Sequence, residues 1–290
     1  MGILSISVVI PTYYRSNDLA ELFESILRQT IMPLEVIVVD DTPTNEIKAL
    51  CEDYGVKFKL LDIELAYLKN SRERSITIAR NIGARMAKGG IIMFFDSDVV
   101  LNPDYMENIL NAFQNYPNAL GVQGWMPNIR EPRKTLLVKS IEMIFDPHYH
   151  RFIKEEKCKY NRYPITLTRI INCEHLEGAA MSFKHHVLEE FQFDENLKKH
   201  TYMDDMLFGF SVRKRYPNSL YITPYAKYMH KWSEKGRGEP NEYRKLKRIY
   251  QQYVLIKVFG FKGAFLLFKH DIGRLILEIL TKVSSLAKHK

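Results

Sequence analysis

Two carboxylates one residue apart, Asp96 and Asp98, follow directly on the apolar run from Gly90 to Phe95. The run is short, preceded by glycine and rich in β-branched and aromatic residues, which predicts a buried strand. Ligands of open α/β sheets bind beyond the carboxyl ends of the strands, where these acids would lie. Paired carboxylates can bind a divalent cation that neutralises a diphosphate. Because acids are also common in turns, the pair alone does not distinguish a metal site from a turn.

Polar groups also follow two other predicted strands, over 6–10 and 34–39. These groups are Pro11, Thr12, Tyr13, Asp40 and Asp41. In a parallel sheet all these ends meet at one edge, where an aspartate can accept hydrogen bonds from a base or a ribose. A turn or a helix N-cap is the alternative interpretation of the Asp40–Asp41 pair. The chain has neither a G-x-G-x-x-G after the first strand nor a P-loop, so neither of those nucleotide sites is predicted.

The residues that precede these acids alternate between two kinds of periodicity. Apolar residues recur with the helical period over 17–28, and helices are also predicted over 46–54, ended by Gly55, and over 75–88. A third strand is predicted over 56–61. Strands and helices that alternate with short connections indicate an α/β fold with a mostly parallel central sheet and helices on both faces.

Composition limits the classes of protein that need to be considered. The chain has 290 residues, of which 46% are hydrophobic, enough for one large domain or a domain with an appendage. Three cysteines without C-x-x-C spacing predict reduced, buried thiols in a cytosolic protein. No signal peptide is predicted, and no segment reaches the roughly 18–20 apolar residues of a membrane span. The net charge of +8 indicates an anionic partner: nucleic acid, lipid head groups or a phosphorylated substrate.

Seven motifs occur in the order and spacing of the family 2 glycosyltransferases. They are SVVIPTY at 7–13, VIVVDD at 36–41, ARNIG at 79–83, FFDSD at 94–98, EGAAMSF at 177–183, DDMLFG at 204–209 and His230. The chain therefore resembles this inverting family, in particular the glycan-assembly enzymes of bacteria and archaea. The resemblance covers residues 5–232. It implies a GT-A fold, Rossmann-like, in a catalytic domain over residues 1–240.

The resemblance also implies a site for a nucleotide-diphosphate sugar and for Mg²⁺ or Mn²⁺. The donor would be bound by Pro11, Thr12, Tyr13, Asp40, Asp41, Arg80 and Asp96. Asp98 would ligate the metal directly, with His230 completing the shell and Asp96 meeting either the metal or the ribose. Oxygen-rich ligation suits both ions. Arg80 would lie near the diphosphate or brace the acids around it, and a surface salt bridge is its alternative interpretation.

On the acceptor side, the resemblance implies that Asp205 is the catalytic base, with Glu177, Gly178 and Asp204 beside the acceptor. A single base opposite the leaving group fits inversion by one displacement. Acids in a first helical turn also stabilise the helix dipole, which is the alternative interpretation of this pair. The chain departs from the family in having Asp204 where Glu is more frequent, and Thr42 where Gly often follows the two aspartates.

Two regions lie outside these motifs. The segment 131–169 interleaves basic and aromatic residues, and we interpret it as a variable insert that faces the acceptor. From residue 241 to 290 a basic, helical tail is predicted, broken at 260–263. Basic and apolar residues together favour an anionic membrane surface, and packing on the catalytic domain is the alternative.

The sequence therefore predicts an inverting, metal-dependent glycosyltransferase. It would move a sugar from a nucleotide-diphosphate sugar to a hydroxyl of a glycan or lipid-linked acceptor, in the cytoplasm or peripherally on the inner face of the cell membrane. A polyprenyl-phosphate sugar synthase is the alternative enzyme. A basic nucleic-acid-binding protein is the alternative from another class, but the basic residues match no RNA or DNA motif, so no nucleic acid partner is expected.

Overall fold

The structure, a computed structural model, describes residues 5–128, 135–145, 167–235 and 240–288. The contacts within the chain divide it into two compact units. The first comprises Met1–Asn128 and Thr166–Tyr250, and the second comprises Ile129–Ile165 and Gln251–Lys290.

A sheet of nine strands forms the centre of the first unit. The strands are β1 (Ile6–Thr12), β2 (Glu35–Asp40), β3 (Glu64–Lys69), β4 (Ile91–Phe95), β5 (Val99–Leu101), β6 (Gly121–Trp125), β7 (Ile171–Asn172), β8 (Ala180–Lys184) and β9 (Leu220–His230). Their order is β3-β2-β1-β4-β8-β6-β9-β5, with β7 paired to β9. Strands β3, β2, β1 and β4 are parallel, as are β6 and β9, whereas β8 runs antiparallel to both of its neighbours. The predicted α/β class is confirmed.

Helices flank this sheet or belong to the second unit. They are α1 (Ser16–Ile26), α2 (Glu46–Lys59), α3 (Ile76–Met86), α4 (Tyr105–Asn115), α5 (Leu136–Phe145), α6 (His185–Glu190), α7 (Asp204–Arg215), α8 (Pro240–Phe259) and α9 (Phe261–Lys288). Apolar side chains at helical spacing explain their positions: in α1, Leu19, Leu22 and Phe23 are fully buried. The helices predicted over 17–28 and 75–88 correspond to α1 and α3.

The prediction for the segment after residue 54 was wrong. Helix α2 does not end at Gly55 but continues to Lys59, and the third strand is Glu64–Lys69 rather than 56–61. Fully buried Phe58 packs edge-to-face on Phe23 of α1, with ring centroids 5.3 Å apart, and this contact favours the additional helical turn. Tertiary packing therefore overrides the helix-ending preference of a single glycine.

The register of the parallel strands brings three chain segments to one edge of the sheet. Thr12 at the end of β1 lies opposite Asp40 at the end of β2, and the N–H of Asp41 donates to the carbonyl of Thr12 over 3.0 Å. Strand β4 pairs with β1 on the other side and ends at Phe95, directly before Asp96. The polar groups of all three strand ends therefore meet at this edge, as the sequence predicts.

The second unit contains α5, the end of α8 and α9. Helix α5 packs closely on α9, where a Cβ added at Gly273 would lie 2.3 Å from Cβ of Phe145. The predicted break at 260–263 is narrower than expected: Gly260 alone, with φ +55°, separates α8 from α9, and Gly263 lies inside α9. In the predicted insert, residues 131–134 and 146–166 lie outside the described residues. None of the described helices combines the length and apolar character that a membrane crossing requires.

Candidate active site

A pocket opens at the edge of the sheet where β1, β2 and β4 end. Five of the residues predicted to bind a donor line it, namely Pro11, Thr12, Tyr13, Asp41 and Asp96. The hydroxyl of Thr12 is buried and has no hydrogen-bond partner among the described residues. A buried polar atom without a partner is costly unless a ligand or water satisfies it, which indicates a binding function for this wall.

The two neighbouring aspartates after β2 have different surroundings. Asp40 is fully buried and outside the pocket lining; its carboxylate accepts hydrogen bonds from the N–H of Thr42 at 2.7 Å and the hydroxyl of Tyr67 at 2.9 Å. Asp41 lines the pocket and accepts from the side-chain amide of Asn70 at 2.5 Å. Burial raises the pKa of Asp41 to about 6, partly opposed by Asn70.

Four basic residues that were not predicted also line the pocket. They are Arg15, Arg74, Lys199 and His200. The guanidinium of Arg74 lies over the ring of Tyr13, 4.1 Å from its centroid. Arg15 lies three residues beyond Thr12. A basic side chain so close to the end of β1 was the feature of the sequence that could have indicated it as a site residue. Arg74, Lys199 and His200 carry no comparable signal, because loop contacts bring them here. Arg15, Arg74 and Lys199 supply positive charge suited to phosphates.

Asp96, Asp98 and His230 form a cluster that fits a divalent cation. Their ligand atoms lie within 4.8 Å of one another. Pairing of β5 with β9 places Val99 opposite His230 and so brings His230 beside Asp98. The Nδ1 atom of His230 is buried, and no described residue forms a hydrogen bond with it. Two carboxylates and an imidazole suit Mn²⁺ and, with water, Mg²⁺, so the three residues predicted as metal ligands can serve together.

The Asp98 carboxylate is fully buried and surrounded by donors. Oδ1 lies 2.8 Å from Nη1 of Arg15 and 3.3 Å from Nε2 of His230, and Oδ2 accepts the N–H of Ser233 at 2.9 Å. Burial alone would raise the pKa of Asp98, but His230, Arg15 and Ser233 lower it to about 2. For Asp96, burial dominates and raises the pKa, partly offset by Arg80.

Arg80 is buried and contacts residues from three separate segments of the site. It is 2% exposed, so the surface salt-bridge interpretation does not apply. Its guanidinium contacts the carboxylate of Asp204, lies 3.2 Å from Oδ1 of Asp96 and donates to the carbonyl of Gly178 at 2.9 Å. Asp204 also accepts from the hydroxyl of Thr201 at 2.5 Å, so its side chain is turned into this network.

The predicted acceptor side contains two half-buried carboxylates, Asp205 and Glu177. Asp205 is the second residue of α7, and its carboxylate accepts hydrogen bonds from the N–H groups of Gly178 at 2.8 Å and Met206 at 2.7 Å. Burial, followed by the charge of Asp204, raises the pKa of Asp205 to about 6. Burial, followed by Asp205 and Asp96, raises the pKa of Glu177 to about 8. Acids with raised pKa values can accept a proton near neutral pH.

Gln123 of β6 was missed by sequence reasoning. Its side-chain oxygen accepts the N–H of Glu177 at 2.5 Å and thus fixes the start of the segment that carries Gly178. Gln123 is 2% exposed, and a polar residue within the otherwise apolar strand 121–125 was the available signal.

Part of the chain is similar in sequence to known proteins of glycan assembly. The chain is 32% identical over 124 residues to a glucosyl-dolichyl phosphate glucuronosyltransferase of Haloferax volcanii, covering 42% of this chain and 38% of that protein. It is 30% identical over 118 residues to the minor teichoic acid biosynthesis protein GgaB of Bacillus subtilis, covering 40% of this chain and 13% of that protein. The chain thus spans well under half the length of both relatives.

Solved structures share the fold at lower identity. The mannosyltransferase PcManGT of Pyrobaculum calidifontis, in complex with GDP-Man and Mn²⁺, superposes with a TM-score of 0.63 at 15% identity and matches all of this chain and 82% of that one. TarS of S. aureus, in complex with UDP-GlcNAc, gives a TM-score of 0.55 at 18% identity, over 92% of this chain and 71% of that one. The predicted GT-A fold is confirmed.

The sequence profile of glycosyl transferase family 2 matches residues 7–189. This match includes the strand ends that line the pocket, the Asp96–Asp98 pair and the Glu177–Gly178 segment. Because it extends over more than half of the 290 residues, the chain belongs to glycosyltransferase family 2.

Proposed function

We propose that this glycosyltransferase uses a nucleotide-diphosphate sugar and a divalent cation, and inverts the configuration of the sugar it transfers. The observation that carries the proposal is the position of the Asp96–Asp98–His230 cluster. Asp96 lines the same pocket as Thr12 and Asp41, so cation ligands and nucleotide-binding groups adjoin each other. The bound donors in the PcManGT and TarS structures support this class of substrate.

On the donor side, Asp41 and the unpartnered hydroxyl of Thr12 would bind the base or the ribose, together with Pro11 and Tyr13. Asp40 would act behind them, because its hydrogen bonds hold the end of β2. Asp98, Asp96 and His230 would hold Mg²⁺ or Mn²⁺, which as a Lewis acid stabilises the charge of the leaving diphosphate. Arg80 would fix Asp96 in the orientation that this ligation needs.

On the acceptor side, Asp205 would take the proton from the attacking hydroxyl. The oxygen of that hydroxyl forms the new bond to the anomeric carbon while the bond to the diphosphate breaks on the opposite face, which inverts the configuration. The hydrogen bonds from Gly178 and Met206 orient the Asp205 carboxylate, and Glu177 and Gly178 would lie beside the acceptor. Asp204 would hold Arg80 rather than contact the acceptor.

The test is a panel of nucleotide-sugars, each incubated with the purified protein and either Mg²⁺ or Mn²⁺. Release of the nucleoside diphosphate is measured, and EDTA and the Asp98→Asn variant serve as matched controls. We expect at least one donor to be hydrolysed slowly or transferred, in a reaction that both controls abolish. No release from any common donor, or release that is insensitive to EDTA, would refute the proposal.

The acceptor is proposed to be a hydroxyl of a glycan or of a lipid-linked glycan. The names of the two relatives, which refer to glucosyl-dolichyl phosphate and to teichoic acid, support an acceptor of this kind. A phosphate acceptor, as in a polyprenyl-phosphate sugar synthase, is already ionised and needs no base. Full transfer activity in Asp205→Asn would therefore indicate a phosphate acceptor, and loss of transfer indicates a hydroxyl.

An anionic membrane surface is the further partner that we propose, with α9 as the contact. Its exposed apolar side chains recur at helical spacing and share one face. They are Phe261, Phe265, Phe268, Leu275 and Ile279. Lys262 and Lys282 are exposed on the same helix, and a cationic amphipathic helix binds in the plane of an anionic bilayer.

Sedimentation with lipid vesicles tests this partner. We expect the protein to bind phosphatidylglycerol vesicles more tightly than phosphatidylcholine vesicles, and Phe265→Glu with Phe268→Glu to abolish binding. Leu60→Glu is the matched control, because Leu60 is 80% exposed at the end of α2, in the first unit. Equal binding to both lipids, or unchanged binding of the double variant, would refute membrane contact through α9.

A further inference from the structure

Arg15 holds a central position that neither the motifs nor the proposed roles explain. It immediately precedes α1, and its side chain is only 11% exposed. Nη1 donates to Oδ1 of Asp98 at 2.8 Å, Nη2 to the carbonyl of Ser233 at 3.0 Å and Nε to the carbonyl of Lys235 at 2.7 Å. One guanidinium therefore satisfies a buried carboxylate and two carbonyls of the segment 231–235.

The backbone on both sides of this contact is held in an uncommon conformation. Tyr14 has φ +55° and Trp232 has φ +58°, which is unfavourable for bulky side chains. The N–H of Tyr14 donates to the hydroxyl of Thr42 at 2.9 Å, and the Trp232 ring stacks on His230 with centroids 4.2 Å apart. These contacts fix the two segments so that Arg15 and Ser233 both reach Asp98.

A divalent cation bound at Asp98 would compete with Arg15 for the same carboxylate. Asp98 has two oxygens: one faces Arg15 and His230, and the other accepts the N–H of Ser233. A cation ligated by Asp98 and His230 would lie within a few ångströms of the guanidinium, and two positive charges at that separation in a buried site repel. Arg15 also lines the donor pocket, so its guanidinium can turn toward a bound diphosphate, which it matches in geometry.

We propose that Arg15 is a built-in counter-cation of the donor site, which a divalent cation displaces from Asp98 and which then binds the diphosphate. Arg15 is thus a positioning residue with two opposite effects: it weakens binding of the cation alone and strengthens binding of the cation together with diphosphate. The second effect rests on the proposed function, whereas the first concerns only the Arg15–Asp98 pair. Occupation of the metal site and binding of the donor are thereby coupled.

The first experiment measures Mn²⁺ binding without nucleotide, from the EPR signal of free Mn²⁺. We expect Arg15→Ala to bind Mn²⁺ roughly three- to tenfold more tightly than the wild type, because a competing positive charge is removed. Arg15→Lys keeps the charge and should bind Mn²⁺ like the wild type. Arg215→Ala, which removes one charge from an exposed pair with Glu190, is the matched control and should also be unchanged.

The second experiment repeats the titration with inorganic pyrophosphate at saturating Mn²⁺. Here Arg15→Ala should bind the probe more weakly than the wild type, so that one substitution has effects of opposite sign in the two titrations. Unchanged or weaker Mn²⁺ binding in Arg15→Ala overturns the proposal, as does equally tightened binding in Arg15→Lys. If Mn²⁺ binds more tightly but pyrophosphate binding is unaffected, the transfer of Arg15 to the diphosphate is refuted. Failure of the proposed function would instead appear as absence of nucleotide-sugar turnover in the wild type.

Discussion

The proposed donor side and the proposed acceptor side of the site each contain a key aspartate, and the pKa values of the two are shifted in opposite directions. Asp98 is fully buried, yet its pKa is lowered to about 2, because His230, Arg15 and an N–H group outweigh the effect of burial. Asp205 is only half-buried, yet its pKa is raised to about 6, because burial and the charge of Asp204 outweigh its N–H donors. Burial raises the pKa of both carboxylates, and the hydrogen-bond donors and positive charges around each one decide whether that effect is outweighed.

This difference separates two chemical tasks. A carboxylate with a lowered pKa stays ionised at physiological pH and is suited to hold a cation. A carboxylate whose pKa approaches neutrality can accept a proton during the reaction and release it afterwards. If Asp98 holds the cation and Asp205 accepts the proton, substitutions at and around the two residues have different effects.

The largest effect is expected from removal of the proposed base. Asp205→Asn retains the shape of the side chain and part of its hydrogen bonding with the N–H groups of Gly178 and Met206. The amide cannot take a proton from the acceptor. Transfer should fall by about a thousandfold, within the range for loss of a general base. Steady-state kinetics with the donor identified in the panel measure this. The exposed Asp104→Asn is the control, and a loss below about tenfold would remove Asp205 as the base.

The next largest effect on kcat is expected from substitution of Arg80, which contacts both the proposed donor side and the proposed acceptor side. A lysine at position 80 cannot contact Asp96, Gly178 and Asp204 together, so Arg80→Lys should lower kcat by about 10- to 100-fold. The free energy of unfolding should fall by about 1–3 kcal/mol, as expected for lost hydrogen bonds to charged groups. Arg85→Lys on the exposed face of the same helix is the matched control. Wild-type kcat in Arg80→Lys would mean that the two sides are positioned independently.

The pH profile of kcat tests the raised pKa of Asp205. With donor and Mn²⁺ saturating, kcat should fall about tenfold per pH unit below about pH 6, as the base becomes protonated. Glu177 carries no charge in that range because its own pKa is raised to about 8. Glu177→Gln should therefore leave the acid limb in place. An acid limb that moves well below its wild-type position would show that Glu177 is ionised where Asp205 titrates.

The smallest effect is on stability. The native pKa of Asp205 lies above its ordinary value of 3.8, so its contribution to stability is present at low pH and is lost as the pH rises through about 6. Asp205→Asn should therefore raise the free energy of unfolding by about 1–2 kcal/mol at about pH 8, and the gain should disappear at about pH 4. Denaturant titrations at the two pH values measure this. Destabilisation of the variant at the higher pH would contradict the raised pKa.

Much of the fold was predictable because apolar runs mark buried strands. Ile6–Ile10 and Gly90–Phe95 have few other interpretations, and the polar groups after them meet at one edge wherever strands are parallel. Gly55 misled the prediction because packing of Phe58 on Phe23 carries no local signal. Strand β9 extends from Leu220 to His230, well past the apolar residues Leu220–Ile222 with which it starts. The alternation of buried Ala226, Tyr228 and His230 with exposed residues was the missed sign.

The site was predictable as a set of residues but less so as an arrangement. Adjacent side chains point in different directions, so the sequence could not tell that Asp41 lines the pocket while Asp40 bonds to Tyr67 beneath it. Arg15 was missed because its importance depends on Ser233 and Lys235, which are distant in sequence. The sequence contains no periodic pattern that reveals long-range contacts of this kind.

The most direct test of the division between the two sides is a Mn²⁺ titration of Asp98→Asn and Asp205→Asn, followed by EPR. If Asp98 holds the cation and Asp205 serves the acceptor, Asp98→Asn should weaken Mn²⁺ binding by at least about tenfold. Asp205→Asn should bind Mn²⁺ like the wild type while transfer is lost. Equal weakening in both variants, or normal Mn²⁺ binding in Asp98→Asn, would contradict the assignment.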